Sequence, residues 1–140
     1  MRQGLQVVLT ALGAVAVVFG GLTVLAGAGG VVDGGRVSAS VDSELRFYAA
    51  WYLGAGVLML RSVRRVEAEG SLIRLIGAVF LIAAAARVLS MVALGTPHPL
   101  FLALMVIEFA IPVVIVPWQG AVARRAVEEP AEPGPGNLDE

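Results

Sequence analysis

Arg87 and Glu108 stand inside long apolar stretches of this 140-residue chain. Charge in such a setting is costly unless it is paired or put to use. Arg46 and Glu44 flank a third apolar stretch, and the two arginines and two glutamates together sum to zero. Tyr48 and Ser90 lie close by in sequence and supply hydroxyls that could hydrogen-bond into the same group. Such a set supports two kinds of chemistry. It can be a closed ionic network that fixes the register of packed helices. It can equally be a polar pocket in which arginines take a lipid head group or another anion.

Other chemistries are excluded by what is absent. The chain has no cysteine, which removes disulfides, thiolate metal sites and thiol nucleophiles. Its single histidine, His98, argues against a zinc site built from this chain alone. It lies between two prolines in a short turn and reads as a surface residue. There is no nucleophile–base pair, and no phosphate-binding glycine loop followed by lysine. No cofactor is expected. The formal net charge of −1 argues against nucleic acid as a partner.

The elements that must position the charged residues are membrane helices. Hydrophobic residues make up 58% of the sequence, and the mean hydropathy is +0.85. A bilayer core needs roughly 20 apolar residues of helix. Four stretches approach that length, at about 5–26, 45–62, 72–94 and 100–118. The first has no charge and is too long for the core of a signal peptide, so a retained helix is expected. The second is the shortest; Arg46 and Arg61 near its ends can extend their heads to the interface. The expected fold is all-α, a four-helix transmembrane bundle formed by residues 1–125. The Pro-, Gly- and Glu-rich segment 126–140 is expected to be disordered. The loop 27–43 reads as turns around Asp33-Gly34-Gly35, with room for a short hairpin.

Depth can be counted along the helices. Arg87 lies eight residues before Gly95 and Glu108 nine after Pro99. At 1.5 Å per residue both are about 12–14 Å below the same short turn, on antiparallel neighbours. An ion pair between them is the expectation. Arg46 shares a helical face with Ala50 and Gly54, which is expected to turn inward. Gly13, Gly20, Gly21, Gly77 and Ala84 are further small residues at which helices can approach closely. Pro112 removes the backbone donor that would meet the Glu108 carbonyl, so a kink is expected there.

The run Ser43-Glu44-Leu45-Arg46-Phe47-Tyr48-Ala49-Ala50-Trp51-Tyr52-Leu53-Gly54 resembles the signature of a family of short bacterial four-helix membrane proteins. That family is known only as a domain of unknown function. Ala86-Arg87-Val88-Leu89-Ser90, Gly95-Thr96-Pro97-His98-Pro99 and Glu108 with Pro112 are similar to its pattern, so the likeness extends over about 5–119. A looser similarity in layout is to DoxX-like membrane proteins. These resemblances imply the fold and a bacterial cytoplasmic membrane, and no activity.

Two functions follow from these residues. One is a non-enzymatic bundle that binds a lipid, a membrane partner protein or a second copy of itself. The other is a membrane-embedded enzyme or transporter that uses Arg46, Arg87 and Glu108 on a quinone or lipid-like substrate. Alternating access usually employs repeated bundles, and four short helices offer little room for it.

Orientation comes from the arginines. Arg2, Arg61, Arg64, Arg65, Arg74, Arg124 and Arg125 gather at one side of the expected bundle, against Arg36 alone in the opposite loop. Positive charge stays in the cytoplasm, which puts both termini inside. Topology reporters fused at Arg2 and after Arg125 should both read cytoplasmic, with a tag in the Asp33 loop accessible from outside. An external C-terminal reporter would refute the arrangement.

Overall fold

The computed structural model describes residues 1–128. Four long helices follow one another: α1 (Arg2–Ala26), α2 (Ala39–Ser62), α3 (Gly70–Leu94) and α4 (Pro99–Glu128). Short 3-10 turns at Gly27–Gly30 and Val63–Arg65 extend the ends of α1 and α2. No strand occurs among the described residues, so the loop after α1 holds turns and no hairpin. The chain is all-α.

Each helix begins and ends for a local reason. α1 stops at Gly27, whose φ of 58° is a left-handed conformation that favours glycine. α2 starts earlier than its apolar residues suggest. Ser38 is its N-cap, with the hydroxyl oxygen accepting from the Val41 amide, and Asp42 occupies its first turn. α3 ends at Gly95, φ 95°, whose amide donates to the Met91 carbonyl. α4 starts on Pro99, where a missing amide costs nothing, and His98 Nδ1 accepts from the Leu100 amide at 3.2 Å. α4 then continues through Pro112 and Pro117 to Glu128, ten residues beyond the expected end at 118. The expected disordered tail therefore begins as helix over 126–128, and its remainder lies outside the described residues.

α1, α3 and α4 are long and apolar enough to cross a membrane. α2 is not among them; its first turns carry Asp42, Glu44 and Arg46 and its last turn Arg61. Leu25, Val92 and Leu94 are each at least 80% exposed, as part of a broad apolar exterior. An apolar exterior of that extent suits hydrocarbon rather than water.

The helices pair in sequence order, α1 with α2 and α3 with α4. The first pair is drawn together by glycines. A Cβ at Gly20 would lie 2.7 Å from the Leu53 amide nitrogen, and one at Gly56 would lie 2.9 Å from the Ala16 Cβ and the Gly13 carbonyl. The two pairs join through Leu5 and Leu9 of α1, Met59 of α2, Val66 of the link, Ile73, Ile76 and Phe80 of α3, and Ile111, Ile115 and Val122 of α4. All of these lie toward the arginine-rich end.

Two glutamines fasten that end further. Gln6 Nε2 donates to the Val63 carbonyl at 2.9 Å, and the buried Gln119 Nε2 donates to the Val66 carbonyl at 3.0 Å. Arg2 forms an ion pair with Glu67. The carbonyls of the α2–α3 link are thus satisfied by side chains from α1 and α4, as buried backbone requires.

The contact at Gly20 generates a test. Gly20→Ala places a methyl against backbone that cannot rotate away, and should cost about 1–3 kcal/mol. Gly54→Ala, where nothing lies within 4 Å, should be neutral or gain up to about 1 kcal/mol of helix propensity. Thermal melts of both variants in one detergent would read the difference.

Candidate functional site

Buried positions on α3 follow the stripe Ile73, Ile76, Phe80 and Ala84, which Arg87 continues at helical spacing. On α4 the stripe is Glu108, Ile111, Ile115, Gln119 and Val122. Both charges are therefore carried on core-facing stripes at the level where apolar packing gives out. Arg87 Nε donates to Glu108 Oε2 at 2.7 Å and Nη2 donates to Oε1 at 2.9 Å. Both carboxylate oxygens are engaged by one guanidinium edge, the strongest geometry open to the pair. The Glu108 side chain is 5% exposed and that of Arg87 35%. The Phe101 ring lies 5.8 Å from the guanidinium carbon and covers part of its face. Nη1 has no acceptor among the described residues.

Arg46 does something else. Its Nε donates to Asp42 Oδ2 at 2.7 Å, and its Nη1 donates to the Val24 and Leu25 carbonyls at 2.8 and 2.9 Å. Asp42 Oδ1 accepts from the Ala28 amide at 2.8 Å. The pair closes the C-terminal end of α1, where carbonyls lack helical partners. The Arg46 guanidinium, and then the Ala28 amide, hold the Asp42 carboxyl below the usual carboxylate range.

The closed network of Glu44, Arg46, Arg87 and Glu108 is corrected accordingly. Asp42 takes the place expected of Glu44, which is exposed and makes no ion pair among the described residues. The i,i+4 spacing of Asp42 and Arg46 on one helix is the signal that could have found this pair. Tyr48 is 64% exposed and stacks edge-on with Phe47, and Ser90 is exposed; neither hydrogen-bonds to the ion pair. Ala50 and Gly54 do not turn inward to pack but line an open groove. Tyr52, named in the signature run but not counted in the expected polar cluster, lies beside Arg87 in the walls of two cavities.

The helices leave space between them, and Arg87 borders a groove, a chamber and a recess. A groove of about 990 Å³ separates α2 from α3, running from Leu72 and Leu58 up to Tyr48, Arg87 and Glu108. A chamber of about 320 Å³ lies among all four helices under Val31 and Val32, walled by Phe19, Tyr48, Tyr52 and Phe101. A recess of about 220 Å³ between α3 and α4 is bordered by Arg87, Ser90 and Met105. The linings are apolar except at Thr23, Tyr48, Tyr52, Ser90 and the ion pair. Such an arrangement can receive an apolar chain and hydrogen-bond one polar end of it.

The model of the family described as Domain of unknown function (DUF4345) matches residues 4–119, and the chain belongs to that family. No curated protein and no solved structure matches it.

The ion pair supplies the prediction here. Arg87→Ala or Glu108→Ala leaves a buried partner uncompensated and should cost about 3–5 kcal/mol, read as poor accumulation in the membrane. Replacing both by leucine should restore accumulation. A double variant as depleted as the singles would show that the pair is not the reason for the loss.

Proposed function

We propose that this family member is a small multi-pass protein of the bacterial cytoplasmic membrane that holds an amphipathic lipid in the groove between α2 and α3. In this reading α2 is a fourth crossing. Its 24 residues span about 36 Å, antiparallel to α1, and its polar first turn reaches the interface. Both termini lie on the cytoplasmic side with the arginines.

The groove carries the reading. Its walls from Leu72 to Arg87 extend about 22 Å along α3, long enough to receive an apolar chain, and end at the one polar junction. Both oxygens of Glu108 are already engaged by Arg87, which favours holding a ligand over acid–base chemistry on it.

Purification in mild detergent followed by mass spectrometry of extracted lipid tests the idea. The wild-type chain should retain stoichiometric lipid. Gly54→Trp puts a bulky ring into the groove where nothing opposes it, and should lose that lipid without a change in melting temperature. No retained lipid, or a second copy of the chain filling the groove as a dimer that Gly54→Trp dissociates, would overturn the reading.

A further inference from the structure

We propose that the site selects an uncharged head group that accepts hydrogen bonds, which enters the chamber among the four helices while its chain lies in the groove. The inference rests on the lipid-binding reading and specifies what kind of lipid. Tyr48, Tyr52 and Arg87 belong to the walls of both spaces, so the groove and the chamber meet at the ion pair.

Charge decides the class of head group. The Arg87 cation is already matched by Glu108 through two short bonds. An anionic head, drawn to the guanidinium, would also be set against a carboxylate that is 5% exposed, with little water to screen the repulsion. A cationic head would compete with Arg87 for Glu108 and leave the guanidinium without its partner. An uncharged head disturbs neither.

The groups left over decide its polarity. Arg87 Nη1 can only donate, and it has no acceptor among the described residues. The Tyr48 and Tyr52 hydroxyls likewise make no hydrogen bond to the described residues, and both residues belong to the shared wall. Donors in excess of acceptors suit ester, keto or ether oxygens. The aromatic walls and the volume of about 320 Å³ fit a compact head such as a glycerol ester, not a large glycan.

Competition on the full chain in detergent, read by native mass spectrometry, tests this with three probes. Dioleoylglycerol is uncharged and accepts hydrogen bonds; dioleoyl phosphatidate has the same chains and an anionic head; squalane has no head group. Dioleoylglycerol should be retained at least tenfold over either of the others. Tyr52→Phe, which leaves the ion pair intact, should lower that preference several-fold without changing squalane retention. Arg87→Leu with Glu108→Leu should abolish it. Preference for phosphatidate, or equal retention of squalane, would overturn the inference while leaving the groove reading in place. Retention of none of the three would overturn both.

Discussion

A carboxylate held at 5% exposure among apolar helices is costly unless a cation is paired with it. Glu108 has that cation in Arg87, and the demand fixes much else. The two residues must lie at one depth, so α3 and α4 must be antiparallel and joined by a short turn. Gly95 and Pro99 provide the turn, and the stripes ending in Arg87 and Glu108 face each other over the core below it. A slip of one residue in either helix would point its charge into hydrocarbon. The pair therefore sets the register of the second hairpin in the way that glycine contacts set the first.

The bundle is packed unequally along its length. Toward the arginine-rich end, large apolar residues from every helix interlock, and Gln6 and Gln119 satisfy the carbonyls of the link. Toward the glycine-loop end, α1 and α2 stay close through Gly20 and α3 and α4 through the ion pair, yet the two hairpins leave a chamber between them. Interiors seldom tolerate empty volume, since each unfilled space forfeits dispersion contacts. A groove and a chamber that meet at the Arg87–Glu108 pair, beside tightly interlocked apolar residues, suit a receptor site on a rigid base.

Much of this was legible from residue types and spacing, and the limits were physical. The apolar runs located all four helices, and the count of residues to a short turn brought Arg87 and Glu108 to one level. The start of α2 was missed because its first turns are polar; a capping serine and an aspartate specify helix there without any apolar stripe. Arg46 was misassigned because net charge balance says nothing about reach. Asp42 lies one turn away on the same helix, whereas Glu44 points elsewhere around it. Gln6 and Gln119 gave no signal beyond being polar in apolar runs, since their partners are backbone carbonyls of a distant link. Which small residues pack was also beyond the pattern: Gly20 and Gly56 meet backbone or a side chain, while Gly54 meets nothing.

The pairing of neighbours in sequence bears on how such a chain is made. The Arg46 and Asp42 bonds that close α1, and the glycine contacts that seat α2 against it, all lie within the first 60 residues. None requires α3 or α4. A hairpin whose closing bonds are local can form while the rest of the chain is still being synthesised. With α2 as the proposed fourth crossing, it would enter the bilayer as a unit with its helix-end carbonyls already covered. The second hairpin, whose charges neutralise each other across one short turn, has the same self-sufficiency. On that proposed topology biogenesis would reduce to two successive insertions and one docking step, with the chamber as the seam that docking leaves behind.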